Sequence, residues 1–372
     1  MARSAEELCI YDPKHLVMDK ALIYSRRSKI RAIDLKILYH IFYYSDKFGG
    51  NLTEISVSDF TEALRCGIHT YSNPYLYDHL KEMKEIYKDM LWFIKDGKKY
   101  QIVCPLESFD MDEEKVSFKV DPMISRHLGK NVKDGADIQL TDLKLFKNTG
   151  LSFNIRMYEI LKYEAGKTAH ADSYMKLSYP EAVLMSGRVD MADEKVKEYY
   201  LGKKSDENFV YDEKLYDSFN TSMATLKNAI DSAVNEINGL SSTVGIEVAY
   251  KKLPQEQWVN RGIKLDGFLF RVTRTRKEEM SLEQFLTLSR KLDDKYSPSE
   301  LDSIIRFQQD NFGNTPADIS DYYKENEKLG RGRILKKLTT VNIAPEKELE
   351  RMEAASVWEK TKDIKDGRYR HV

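Results

Sequence analysis

The sequence is short of cysteine, proline, glycine and long apolar runs, and neither sign of charge is in excess. Each shortage excludes something. The three cysteines, Cys9, Cys66 and Cys104, are odd in number and far apart. They make no C-x-x-C pair and no zinc-ligand spacing, so a disulfide framework or metal-held module is not expected, and free thiols in a reducing cytoplasm are the simple reading. No apolar window approaches the roughly 18 residues of a membrane helix. The opening MARSAEELCIYDPKH has no secretory apolar stretch. No membrane partner is therefore expected. Nine prolines and 18 glycines in 372 residues leave little room for long linkers. There is no G-x-x-x-x-G-K-[ST] phosphate loop and no G-x-S-x-G elbow. The seven histidines are scattered, without a His-x-His pair that could hold a metal beside a tyrosine nucleophile. Glu113-Glu114 and Asp293-Asp294 are neighbours in polar stretches, where solvation explains them better than acid–base work. The chain is thus read as non-enzymatic, with no cofactor and no metal.

The 59 basic and 60 acidic residues leave a net charge of −1. By segment the balance is roughly neutral over 1–150, about +1 over 151–277 and about −2 over 278–372. Any polyanion must therefore be met by local patches rather than by a global field.

Hydrophobic residues make up 41% of the chain, enough for buried cores, and the length suggests two domains with an extension. In 33–48 (IDLKILYHIFYYSDKF), Ile33, Ile37, Leu38, Ile41 and Phe42 recur at helical spacing, and Gly49-Gly50 stops the helix. A short helix capped by Ser56 or Ser58 follows and ends before Gly67. A third starts near Pro74, with Leu76, Leu80, Met83, Ile86 and Met90 on one side. The period then changes to two. Leu91–Lys95 and Lys99–Val103 flank Asp96-Gly97, a hairpin signal, and Val116, Phe118 and Val120 alternate as a further strand.

The order recurs. A helix over 152–165 is followed by a short helix near Leu177-Ser178, a polar insertion at 191–214 and a long helix from Tyr216 to Asn238. Two strands come next, around Val244–Tyr250 and Ile263–Val272, with a bulge expected at Gly267. Three helices and a hairpin, twice, give an α+β reading: two tandem winged-helix (helix-turn-helix) domains, 1–147 and 148–277, and a helical C-terminal extension, 278–372. Within the extension, helices are expected near 281–294, 298–312 and 316–328, and a charged, loosely ordered tail after Gly330.

Ser152-Phe-Asn-Ile-Arg-Met-Tyr-Glu-Ile-Leu-Lys162 resembles the helix that opens the second winged helix in plasmid replication initiators of the Rep family. Leu226-Lys-Asn-Ala-Ile-Asp-Ser-Ala-Val-Asn-Glu-Ile-Asn238 is similar to that family's second long helix, and Gly245–Tyr250 with Gly267–Val272 fits its closing hairpin. Met18–Leu22 and Leu35–Leu38 resemble the opening of the first module. The resemblance covers roughly 15–277, in order. It implies binding to repeated origin sequences (iterons) as a monomer, opening of adjacent A·T-rich DNA and recruitment of host replication proteins such as a helicase or initiator. It also implies a homodimer through the first domain that represses its own gene.

In a helix-turn-helix the N-terminal half of the second helix meets base edges. Here that half offers Tyr71, Ser72, Asn73 and His79, with Lys81 and Lys84 for phosphate. The cluster Arg26, Arg27, Lys29 and Arg31 suits backbone or minor-groove contact. The second module offers Ser218, Asn220, Thr221, Ser222, Thr225, Lys227 and Asn228 on its long helix. Lys251, Lys252, Arg261, Lys264, Arg274 and Arg276 lie on its hairpin. Bland alternatives stand beside these: polar helix caps, a solvated loop, and strand-edge charges that discourage edge pairing. The aromatic residues fall on core patterns and are read as packing. Two function classes remain open, a replication initiator and a transcriptional regulator using the same modules. A nuclease or polymerase-like enzyme is disfavoured by the missing motifs.

Overall fold

A computed structural model describes residues 14–50, 52–65, 73–96, 99–129, 132, 134–143, 145–146, 152–178, 182, 223–254, 265–275, 288–289, 292 and 295–361. Helix and strand are mixed throughout, as expected for an α+β chain. By internal packing the chain falls into two units, Met1–Tyr163 with Ser178–Val244, and Glu164–Leu177 with Gly245–Val372. This division does not follow the expected boundaries at 147 and 277. The helix read as opening the second module puts its buried face into the first unit. The closing hairpin of that module groups with the C-terminal helices.

The first unit begins with β1 (His15–Asp19), α1 (Lys20–Ile23) and β2 (Arg26–Arg27). Next comes α2 (Ala32–Lys47), buried on nearly every side, which makes it the central helix rather than a surface one. Then follow β3 (Thr53–Ser56), α3 (Val57–Arg65) and α4 (Asn73–Ile86). The Ser56 hydroxyl accepts from the Asp59 amide at 3.0 Å and caps α3. Along α4, Leu76, Leu80 and Met83 are buried at the expected three-and-four spacing.

The predicted hairpin is present as β4 (Trp92–Asp96) and β5 (Lys99–Val103), with Asp96 opposite Lys99 across a two-residue connection. It is not the strand pair that closes on the helices. Its third strand is β2, in the order β2-β4-β5, whereas β3 pairs with the second strand of a later hairpin. That hairpin is β6 (Leu106–Met111) and β7 (Lys115–Val120), in the order β3-β7-β6. The physical reason is the inward face. Ile55 sits opposite Val116, and Phe118 opposite Phe109, and all four are buried. By contrast Trp92, Phe93 and Ile94 are all fully buried, so β4 has no water-facing side to alternate with.

The unit continues with α5 (Pro122–Ser125), β8 (Gly135–Gln139, paired with β1), α6 (Leu140–Leu143) and α7 (Phe153–Gly166). After α7 come β9 (Asp172–Ser178), α8 (Met223–Gly239), α9 (Ser241–Val244), β10 (Ile246–Pro254) and β11 (Leu265–Arg274). The short helix expected after Ser178 and the 191–214 insertion lie outside the described residues. The sheet order is β10-β11-β9. In both halves of the chain, therefore, the strand that follows the first long helix joins the second strand of the closing hairpin. The expected irregularity is found beside Gly267: the register shifts where Leu253 faces Gly267 and Pro254 faces Leu265.

The second unit ends in four helices, α10 (Pro298–Phe312), α11 (Pro316–Asn326), α12 (Arg331–Leu338) and α13 (Pro345–Lys360). The first two start at the predicted prolines, each behind a capping box, Ser297 with Glu300 and Thr315 with Asp318. The predicted 281–294 helix lies almost wholly outside the described residues. The chain after Gly330, expected to be loose, is helical: Ile334 and Leu338 of α12 enter a core with Leu301, Ile304, Ile305, Ile319 and Tyr323. Gly313, left-handed at φ 66°, ends α10, and an added Cβ would meet the His170 ring at 2.3 Å, so only glycine fits.

Helix α2 also buries charge. His40 is enclosed, and among the described residues neither ring nitrogen has a hydrogen-bond partner. Burial, then the cations of Lys14 and Lys36, hold its pKa well below the usual histidine value. Burial also pulls Lys36 down to about 7, against the attraction of Glu236. The unfolded chain therefore binds more protons than the native one. For Lys36 this applies as pH falls from its ordinary value near 10.5 to about 7, and for His40 below about 6.5. Stability should fall toward acid along both limbs, each approaching about 1.4 kcal/mol per pH unit. Urea midpoints across that range should show it, and His40→Leu should flatten only the limb below about 6.5. An unaltered acid limb in that variant would mean other groups set it.

Candidate nucleic-acid interface

The first candidate surface is the outer side of α4. Tyr75, Asp78, Lys81, Glu82, Lys84 and Glu85 are exposed, with Tyr75 at 39%. Lys81 lies over the Tyr77 ring, 4.5 Å from its centre. Lys84 pairs with Asp110 at 2.7 Å, which raises its pKa through that hydrogen bond. Asn73 opens the helix. Its side chain, and all of Tyr71 and Ser72, lie outside the described residues. His79 is buried, with its ring edge-on to Tyr75 at 4.4 Å, and burial followed by the Arg31 cation lowers its pKa. A buried neutral imidazole is not the phosphate ligand expected from the sequence.

The basic cluster at 26–31 is taken apart by the fold. Arg26 and Arg27 form a strand of the β2-β4-β5 sheet and are buried. Arg26 donates to the Tyr24 carbonyl at 3.0 Å. The Arg27 guanidinium donates to the Tyr39 hydroxyl at 2.6 Å, the Leu22 carbonyl at 3.0 Å and Glu159 at 3.2 Å. It also lies 3.8 Å from the centre of the Trp92 ring. Glu159, 0% exposed, accepts from Arg27, from the Tyr39 hydroxyl and from Arg156 at 2.5 Å. Arg156 donates in turn to the Ile23 and Ser25 carbonyls at 2.8 and 2.9 Å. Arg26 and Arg27 are thus structural groups, and the DNA role expected for them is withdrawn. Lys29 stays exposed. Arg31 is half-exposed but clamped, with both Asp34 oxygens at 2.6 and 2.9 Å and Glu82 at 2.9 Å. The R-x-x-E spacing of Arg156 and Glu159, neighbours on one helix face, was the signal for this cluster.

The tip of the β6–β7 hairpin is acidic. Asp112, Glu113 and Glu114 are exposed, and the Asp112 carboxylate accepts from the Glu114 and Lys115 amides at 2.8 Å each, fixing the turn. That tip would repel phosphate.

On the second candidate surface, Ser218, Asn220, Thr221 and Ser222 lie outside the described residues, as do Arg261, Lys264 and Arg276. Thr225 is placed on α8, although its side chain is not described. Lys227 pairs with Asp231 at 3.1 Å, and Asn228 is exposed. Lys251 corrects the expectation for the hairpin. At 7% exposure it donates to the Trp358 and Thr361 carbonyls, both at 2.8 Å, and lies 4.6 Å from the centre of the Trp358 ring. It anchors the C-terminal helix instead of facing solvent. Lys252 is half-buried, and Arg274 donates to the His170 carbonyl at 2.8 Å.

Among the described residues no three His, Cys, Asp or Glu side chains gather as a metal-ligand set, and no helix is long and apolar enough to cross a membrane. No protein-family model matches the chain, and no curated protein matches its sequence.

Proposed function

We propose that this chain is a sequence-specific double-stranded-DNA-binding initiator of plasmid replication, built from two tandem winged-helix modules. The observation that carries the reading is the repeated connectivity. A long helix, a strand, a second long helix and a hairpin occur twice, and each time the lone strand pairs with the hairpin's second strand. In the first module α4 takes the recognition position, with Tyr75 and Lys81 exposed along it and Lys29 exposed nearby in sequence. The resemblance at 152–162 and 226–238 supports the initiator role. Host helicase or initiator proteins are the implied partners, along with a dimer through the first module.

Footprinting the purified full chain on DNA flanking its gene tests this. The expected result is protection in evenly spaced direct repeats of roughly 20 base pairs, two helical turns, so that successive copies bind one face of the duplex. The repeats should adjoin an A·T-rich stretch. A single palindromic operator without repeats would instead favour the transcriptional regulator, and no protection would overturn both.

A further inference from the structure

The densest exposed run of cations lies in neither module. Residues 328–337 carry Lys328, Arg331, Arg333, Lys336 and Lys337 and no acidic residue, within an extension that is otherwise acidic. All five are exposed. Arg331 gives its guanidinium to Glu300 at 3.0 Å. Among the described residues no ion pair engages the other four. On α12, Arg333, Lys336 and Lys337 fall at the i, i+3 and i+4 spacing that places them on one face. Ile334 and Leu338 point the other way, fully buried in the helical core.

The helix is built against its own electrostatics. Arg331 and Arg333 occupy its first turn, where the dipole favours acids, and Gly330 provides no side-chain cap. The neighbouring α10 and α11 start with Glu300 and Asp318 in that turn, as the dipole prefers. Burial of Ile334 and Leu338 holds α12 in place regardless.

We propose that the cationic face of α12 is an additional DNA-backbone site, gripping phosphates without reading sequence; this rests on the DNA-binding reading above. The alternative polyanion, an anionic membrane surface, fits less well. A helix that settles into a bilayer needs a free apolar face, and the apolar residues of this one are spent in the core. A duplex asks only for an array of solvent-facing cations, each releasing a counterion as it meets a phosphate.

The test compares the full chain with a Lys328→Gln, Arg333→Gln, Lys336→Gln, Lys337→Gln variant on labelled cognate and random duplexes, from about 50 to about 200 mM salt. The variant should fold normally, because every altered side chain is exposed. Its salt slope should be smaller by about 3 to 4, at about 0.9 per lost phosphate contact, and its affinity should fall by the same factor on both duplexes. Arg331→Gln, whose guanidinium is already occupied, should change the slope by less than about one. A quadruple variant with an unchanged slope on a duplex that the parent still binds would overturn this site and leave the DNA-binding reading standing. A parent chain that binds no duplex would overturn both.

Discussion

Glu159→Ala is expected to lower the stability of the first unit by about 3–5 kcal/mol, the range for removing one partner from a buried ion pair. The carboxylate is fully enclosed between Arg27 and Arg156 and also accepts from Tyr39. Without it two guanidiniums stay buried with no counter-charge. Arg156 already bears the cost of burial, which lowers its pKa, with the Arg27 cation adding to the effect. Tyr39 would lose its acceptor while Arg27 still donates to it. Against a typical domain stability of about 5–15 kcal/mol such a loss is large. Glu159→Gln should cost less, because it keeps an acceptor oxygen and removes only the charge. Urea unfolding of the full chain reads both. A Glu159→Ala midpoint close to that of the parent would mean the cluster does not hold α7 in place.

Trp358→Ala should have a comparable but more local effect, about 3–5 kcal/mol for emptying a buried tryptophan site. Trp358 is the one buried side chain of α13 among the described residues. Lys251 and Arg271 stack on its ring, and the Tyr174 ring lies 6.2 Å away. With the indole gone, α13 keeps little apolar anchorage, since Leu349 and Met352 face solvent. The core of α10, α11 and α12 does not include it. Amide exchange should therefore quicken over Pro345–Lys360 while Pro298–Phe312 keeps its protection. Equal loss in both helices would show the extension to be a single cooperative unit, and no loss would show that Trp358 does not anchor α13.

Much of the element order was legible in the sequence because its signals are local. The stripes of α2, α4 and α8, the two-residue turn of β4–β5, and the prolines that start α10 and α11 all lie within a few residues of the structure they specify. Pairing was not legible in that way. Two hairpins follow α4, and the choice between them for β3 rests on Ile55 meeting Val116 and Glu54 meeting Ser117, some sixty residues apart. The same distance problem hid the fate of the cations. Arg27 reads as part of a solvated basic run, yet its carboxylate partner lies 132 residues downstream, and Lys251 finds its acceptor 107 residues away. Local charge says nothing about burial when the partner is remote. The chain after Gly330 looked loose because only Ile334, Leu338 and Trp358 mark its buried sides.

Selection of binding sites from a random duplex library by the purified full chain probes the central claim most directly. Recovery of one consensus whose bases lie in major grooves on a single face of the helix is the predicted outcome. A recovered pool indistinguishable from the input would contradict it.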